Sequence, residues 1–162
     1  QSLANRFGRD VLATPGIKSV IVLVGINDIG YSTASAPVTA ADLIDGYRQL
    51  IMRANARGVS VLGAKLLPFE GASYYSVARN TMRQTVNNWI RGSGEFDGVI
   101  DFEAAVRDPG FPGRLLPAYD SGDHLHPNDL GYQAMANAVP LTLLSAAITT
   151  AEPVAEELTV QP

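Results

Sequence analysis

The sequence contains no cysteine and only two histidines among its 162 residues. Without cysteine the chain forms no disulfide, offers no thiolate ligand to a metal and has no cysteine nucleophile. Two histidines are too few for a metal site built from histidine alone. The composition therefore indicates no metal cofactor and excludes chemistry that depends on a thiol.

Positive charge and long apolar runs are also scarce. The chain has 12 basic and 16 acidic residues, a net charge of −4. A domain that holds phosphate backbones is usually basic, so we expect no nucleic-acid partner. No apolar run approaches the roughly 20 residues that a membrane-spanning helix needs, and we expect no membrane span. Hydrophobic residues make up 46% of the chain, which is typical of one globular domain.

The pattern of apolar residues predicts strands and helices in alternation. A continuous β-branched run at 19–24 suits a strand buried on both faces, and further strands are expected at 59–67 and 97–102. Helical periodicity starts after a capping box at Thr39 and Asp42, and it returns at 78–92. Alternating strands and helices predict an α/β fold with a parallel sheet.

The C-terminal part of the chain is predicted to be a helix followed by a tail. Asn128 suits an N-cap, and the helix is expected to run to about residue 148 with a kink at Pro140. We expect one domain over residues 1–148 and a flexible, acidic tail over 149–162.

Polar residues cluster where this fold places ligands. Asn27 and Asp28 follow the first strand through Gly25, and Asp123 and His126 lie in the loop before the last helix. Ligands of open α/β sheets bind beyond the carboxyl ends of the strands. The two clusters therefore indicate a functional site at that edge of the sheet.

The spacing of Asp123 and His126 suits a histidine that is held by a carboxylate. Three residues apart in a loop, the carboxylate can reach one imidazole nitrogen and leave the other facing outward. Such a histidine is a general base with a fixed tautomer. From the spacing alone, a surface histidine beside a helix-capping carboxylate remains the alternative.

Asn27 has two interpretations of its own. Its side-chain amide can donate a hydrogen bond to an oxyanion, a contact whose removal typically costs about 2.7–4 kcal/mol in the transition state. Alternatively, Asn27 or Asp28 closes an Asx-turn on its own backbone.

Taken together, the two clusters resemble known sequence blocks. Gly25-Ile26-Asn27-Asp28 matches a Gly-x-Asn-Asp block, and the segment from Asp123 through His126 to Pro127 matches an Asp-x-x-His-Pro block. Both belong to the SGNH/GDSL hydrolase superfamily of GDSL-like lipases, acylhydrolases and esterases, and the resemblance extends over most of residues 7–144.

The resemblance implies a fold, a reaction and a set of roles. The fold is a flavodoxin-like, three-layer α/β/α arrangement with a parallel sheet, and the reaction is ester hydrolysis by a Ser-His-Asp triad without a cofactor. His126 would be the base and then the acid, and Asp123 would orient it. Asn27 would donate to the oxyanion and contact substrate, and Gly25 would give that turn room beside the substrate. Relatives are often exported, which favours secretion.

The chain departs from the family at the nucleophile. It contains no Gly-Asp-Ser block, which in the family ends the first strand. The three strands would correspond to the third, fourth and fifth of the family, so the first strands would be missing and the 19–24 strand would be an edge. An uncovered apolar edge is an aggregation hazard. We therefore expect this chain to be the C-terminal part of a hydrolase and nearly inactive alone. Its 19–24 strand would pair with an N-terminal segment of the same hydrolase or with a second chain.

Two other functions remain open. A catalytically inactive relative would serve as a binding or assembly module, dimerising through the same strand. A nucleotide-binding α/β domain is the third possibility, although no glycine-rich phosphate loop follows any strand.

Overall fold

A parallel sheet of three strands forms the centre of the structure, a computed structural model that describes residues 3–144. The strands are β1 (Ser19–Val22), β2 (Ser60–Ala64) and β3 (Gly98–Ile100), in the order β1-β2-β3. The predicted strands are confirmed, and each is shorter than expected. The predicted domain end at residue 148 and the predicted tail over 149–162 lie outside the described residues.

Helices connect the strands and follow them. Their bounds are α1 (Leu3–Phe7), continued by a π-helical turn (Gly8–Leu12), α2 (Ile26–Gly30), α3 (Ala40–Asn55), α4 (Val77–Gly92), α5 (Phe102–Val106) and α6 (Asp129–Asn137), with a 3₁₀ turn at Pro117–Tyr119.

Side-chain caps define where the long helices start. The capping box predicted at α3 is present, because Thr39 accepts from the amide of Asp42 and the Asp42 carboxylate accepts from the amide of Thr39. Ser76 caps α4 and Asn128 caps α6 in the same way, each accepting from the amide three residues ahead. These contacts satisfy amides that have no partner inside the helix.

The predicted continuity of the last helix through Pro140 was wrong, and its predicted end near residue 148 lies outside the described residues. Helix α6 ends at Asn137, instead of continuing through a kink at Pro140. A separate helical turn occupies 141–144, where the Leu143 amide donates to the carbonyl of Pro140. Proline has no amide hydrogen and its ring collides with the preceding turn, so it starts the second turn and does not extend the first.

Strand β2 is buried on both faces and separates two hydrophobic cores. Val61 packs into one core with residues of α3 and α4, whereas Leu62 and Ala64 pack into the other with residues of α5 and α6. Helices therefore cover both faces of β2, which confirms the predicted α/β class with a parallel sheet. None of the helices within residues 3–144 combines the length and hydrophobicity needed to cross a membrane.

Strand β1 is an edge of the described sheet, and its expected burial on both faces was wrong. Val22 is buried, but Ile21 is 38% exposed. Ile21 is in register with Leu62 and so points to the same face, where α5 and α6 cover β2. Composition indicates an apolar strand, but it does not report how far the covering layer extends.

A buried ionic network braces the chain after β2. Arg83, which is 1% exposed, donates to Oε1 of Glu103 at 2.6 Å, and Lys65 lies 2.7 Å from Oε2. Arg83 also donates to the carbonyl of Leu66, and Asn87 exchanges two hydrogen bonds with the Leu66 backbone. Partial burial would raise the pKa of Glu103, but the hydrogen bonds and charges of the two cations hold it below its ordinary value.

Replacing Glu103 by Gln should lower the free energy of unfolding at pH 7 by about 3 kcal/mol, because it removes the carboxylate that pairs with buried Arg83 and one of the two carboxylates beside Lys65. The lowered pKa sets the pH dependence. The stability that ionised Glu103 contributes is fully present above the ordinary glutamate pKa of about 4.3. It is lost as the pH falls through the lower pKa that Glu103 has in the folded protein. Urea unfolding of both proteins from pH 7 to pH 3 should show the difference shrinking.

The control is Glu95→Gln, which removes an exposed partner of Arg48. It should destabilise the protein much less than Glu103→Gln. Equal losses from both variants would contradict a special contribution from the buried network.

Candidate active site

Three loops converge beyond the carboxyl ends of the strands. They are the turn from β1 to α2, the loop between β2 and α4, and the loop before α6. All three contribute to one largely apolar cavity of about 150 Å³, which is lined by Leu23, Val24, Ile26, Leu66, Leu67, Leu125, His126, Pro127, Tyr132 and Met135. The fold therefore brings the segment of Asn27 and the side chain of His126 to the same cavity.

The carboxylate of Asp123 organises the loop before α6. Its Oδ1 accepts hydrogen bonds from the amides of Leu125 and His126, at 2.9 and 2.8 Å, and from the Ser121 hydroxyl at 3.0 Å. Its Oδ2 lies 2.6 Å from Nδ1 of His126. The hydrogen bonds from His126, first through the ring and then through the amide, hold the pKa of Asp123 far below its ordinary value. Asp123 is therefore an anion that both shapes the turn and fixes the ring.

His126 meets the geometric requirement for a base. With Nδ1 engaged by Asp123, Nε2 has no hydrogen-bond partner within residues 3–144, and the side chain is 61% exposed. The contact expected from the spacing is present, and the catalytic role stays a prediction. No group of three or more histidine, aspartate or glutamate side chains in the described part of the chain converges to hold a metal ion.

Asn27 lies exposed on α2, directly after a glycine turn. Gly25 adopts a φ of +114°, a left-handed conformation that favours glycine, and precedes the first residue of α2. The hydroxyl of Tyr47 donates to the carbonyl of Val24 at 2.5 Å, which ties the end of β1 to α3. The Asn27 side chain accepts at Oδ1 from the hydroxyl of Tyr74, 3.1 Å away.

The second histidine of the loop forms an aspartate–histidine pair of its own. Nδ1 of His124 lies 2.5 Å from Oδ2 of Asp120, and the His124 amide donates to Oδ1. His124 has a φ of +60°, and a Cβ on Gly71 would lie only 2.9 Å from its ring. Partial burial would raise the pKa of Asp120, but hydrogen bonds from Gly122 and His124 hold it below its ordinary value. The pair holds the His124 ring against Gly71, and this contact joins the loop before α6 to the loop after β2.

Several serine hydroxyls of the described chain hydrogen-bond other groups. No serine hydroxyl within residues 3–144 hydrogen-bonds the His126 ring; the backbone amide of Ser121 donates to the His126 carbonyl. Ser32 accepts from the amide of Val38, Ser76 caps α4, and Ser121 donates to Asp123. Ser2 and Ser145 lie outside the described residues.

Sequence reasoning missed two contacts at this site, Asp120 with His124 and Tyr74 with Asn27. Asp120 and His124 are four residues apart, a spacing that was available as a signal but was overshadowed by Asp123 and His126. Tyr74 is 47 residues from Asn27, and no local pattern links the two.

Comparisons with known proteins assign this chain to a family. Residues 1–134 match the model of the GDSL-like Lipase/Acylhydrolase family. A search of curated protein sequences found no significant match.

Similar solved structures include a GDSL-like lipase from Bacteroides thetaiotaomicron, with a TM-score of 0.71 and 19% identity over 88% of this chain and 69% of that one. A G-D-S-L family protein from Desulfitobacterium hafniense has a TM-score of 0.65 and 22% identity, over 90% of this chain and 73% of that one. An acetylxylan esterase from Geobacillus stearothermophilus has a TM-score of 0.61 and 23% identity, over 84% of this chain and 63% of that one. At these identities the structures show a shared fold, and the match to the family model shows that this chain belongs to the GDSL-like lipase/acylhydrolase family.

Proposed function

We propose that the protein is a serine esterase or acylhydrolase in which this chain, over a domain of residues 1–148, supplies the base His126, the carboxylate of Asp123 and one oxyanion donor, Asn27. The observation that carries the proposal is the Asp123–His126 pair, whose 2.6 Å contact lies at the cavity that the β1–α2 turn also lines. A histidine with one nitrogen held by a carboxylate and the other free is the arrangement that activates a serine hydroxyl.

Each side chain has a defined task in this reaction. Nε2 of His126 takes the proton of the serine hydroxyl as the oxygen attacks the ester carbonyl, and then donates it to the leaving alcohol. Asp123 stabilises the imidazolium that forms in between. Nδ2 of Asn27 donates to the oxyanion of the tetrahedral intermediate. Water then releases the acyl group from the serine by the same steps.

The cavity indicates the substrate class. Its lining next to His126 is mainly aliphatic, including Leu66 and Met135, and its volume is about 150 Å³. An apolar cavity of this size suits the acyl part of a short-chain ester. One solved neighbour is an acetylxylan esterase, and we propose that this chain likewise acts on a short acyl ester.

We propose that the serine comes from outside this chain. Within residues 3–144 no serine hydroxyl hydrogen-bonds the His126 ring, and β1 is an edge strand of the sheet that these residues form, with Ile21 38% exposed. A strand paired with β1 would cover that edge. It would belong to an N-terminal segment of the same hydrolase or to a second chain.

The open edge also fits a second function, a non-catalytic assembly module that dimerises through β1. Sedimentation distinguishes the two. A dimer that forms with increasing concentration, combined with no labelling by a serine-directed probe in the full-length natural protein, would favour the module.

The first prediction for the candidate site compares the two histidines in the full-length natural protein. His126→Ala should lower kcat for p-nitrophenyl acetate on the order of 10⁴-fold, because it removes the base. His124→Asn keeps a residue that tolerates a positive φ and should retain kcat within about threefold. Equal losses from both variants would rule out the assignment of His126 as the base.

The second prediction concerns the turn that presents Asn27. Gly25→Ala should lower the free energy of unfolding by about 1–3 kcal/mol, since alanine is strained at this φ. Its Cβ would also lie 3.0 Å from the Tyr47 hydroxyl.

The control for the turn is Gly46→Ala inside α3, where a Cβ meets nothing within 4 Å. It should stabilise the protein by about 0.5–1 kcal/mol. Thermal unfolding of both variants measures the contrast, and a neutral Gly25→Ala would contradict the need for glycine in the turn.

The third prediction concerns the source of the serine. This chain alone should leave a fluorophosphonate probe unreacted and should hydrolyse p-nitrophenyl acetate at close to the background rate. The full-length protein should react with the probe and turn over the ester. Mass spectrometry of the labelled peptide identifies the serine, and labelling inside this chain would show that the nucleophile was misplaced.

A further inference from the structure

Tyr74 reaches Asn27 from a different loop and is held there on several sides. Its hydroxyl donates to Oδ1 of Asn27 at 3.1 Å. Its ring contacts Tyr31 edge-on, with centroids 5.5 Å apart, and lies 6.0 Å from Phe69, which is fully buried. A Cβ on Gly30 would come within 2.7 Å of the Tyr74 ring, so the ring packs directly on the α2 backbone. Tyr74 is thus fixed against the helix that bears Asn27.

The backbone of Tyr74 is fixed as well. The guanidinium of Arg79 donates to the carbonyl of Tyr74 at 2.7 Å and to the carbonyl of Ser32 at 3.0 Å. One arginine therefore joins the loop after β2 to the segment after α2. The hydroxyl of Tyr74 and the amide of Asn27 keep their relative positions because both loops are tied to the same cation.

An asparagine amide needs such a partner if it is to serve as an oxyanion donor. Its oxygen and nitrogen ends are nearly equal in shape, and only Nδ2 can donate to a developing negative charge. If Oδ1 faced the reacting carbonyl, it would repel the oxyanion. A hydroxyl that donates to Oδ1 favours the orientation in which Oδ1 faces the hydroxyl and Nδ2 points away from it. Nδ2 of Asn27 has no hydrogen-bond partner within residues 3–144, so it is available to donate to an oxyanion.

The Tyr74 hydroxyl also keeps its proton. Burial, followed by the neighbouring Tyr31 and the charge of Asp123, raises the pKa of Tyr74 above its ordinary value. The phenol is therefore neutral and able to donate over the whole range in which a histidine base works.

We propose that Tyr74 is a positioning residue that sets the orientation of the Asn27 amide for oxyanion stabilisation. This inference rests on the proposed function, since it assumes that Asn27 is the donor. Tyr74 does not touch the reacting atoms and acts only through Asn27.

The test uses Tyr74→Phe in the full-length natural protein, because phenylalanine keeps the ring on Gly30 and removes only the hydroxyl. We expect kcat for p-nitrophenyl acetate to fall roughly fivefold, the factor that corresponds to one neutral hydrogen bond, with KM nearly unchanged. The matched control is Tyr75→Phe, at the adjacent tyrosine, whose ring contacts Phe69. It should leave kcat within about 1.5-fold.

A spectroscopic measurement distinguishes a role of Tyr74 in orienting the Asn27 amide from a purely structural role. Nitrogen-15 relaxation of the Asn27 side-chain amide should give an order parameter of about 0.8 in the wild type and in Tyr75→Phe, and below about 0.6 in Tyr74→Phe. An unchanged order parameter in Tyr74→Phe would overturn the inference whatever the kinetics show.

A double-mutant cycle distinguishes failure of this inference from failure of the proposed function. Asn27→Ala should lower kcat roughly 10²–10³-fold, and adding Tyr74→Phe to it should have no further effect. Full activity of Asn27→Ala would overturn the oxyanion assignment itself. A large loss in Asn27→Ala together with wild-type kcat in Tyr74→Phe would overturn the role of Tyr74 alone, as would additive losses in the double variant.

Discussion

The burial of β2 on both faces is the constraint on which the geometry of the site depends. Residues of β2 alternate between two cores, and its neighbours run parallel to it. Parallel strands end at one edge of the sheet, so the loops that follow them converge there. The ionic network around Glu103 and the clamp of Asn87 on Leu66 then fix the first residues beyond β2, which line the cavity next to His126.

Local hydrogen bonds complete what the sheet begins. Asp123 uses one oxygen to close its own turn on the amides of Leu125 and His126 and the other to hold the His126 ring. The same carboxylate therefore determines both the path of the backbone and the orientation of the His126 ring. Asn27 differs, because its side chain is held by Tyr74 from another loop. One half of the candidate site is thus built locally and the other half by tertiary contact.

This difference explains how much the sequence could predict. The strands, α3 and α4, the capping box and the Asp123–His126 contact follow from short-range patterns, and all are present. The Tyr74–Asn27 contact spans 47 residues and depends on how two loops pack, which no local pattern reports. The exposure of Ile21 was misjudged because composition cannot reveal where the layer of α5 and α6 ends. The break after α6 was missed because a proline inside an apolar helical pattern is compatible with a kink or with a stop.

The exposure of His126 and the open edge of β1 have one physical explanation under the proposed function. Two unit charges 4 Å apart attract by about 1 kcal/mol in bulk water and by about 4 kcal/mol near a protein surface that partly excludes it. Asp123 therefore stabilises an imidazolium better once the site is covered. A strand added parallel to β1 would end beside Gly25, so the residue after it would reach the cavity and shield His126. Two copies of β1 paired antiparallel about a two-fold axis would place the carboxyl end of each beside the amino end of the other, so each copy would bring the segment before its own β1 to the other's site. Only an added parallel strand would cover the edge and at the same time place the residue that follows it at the site.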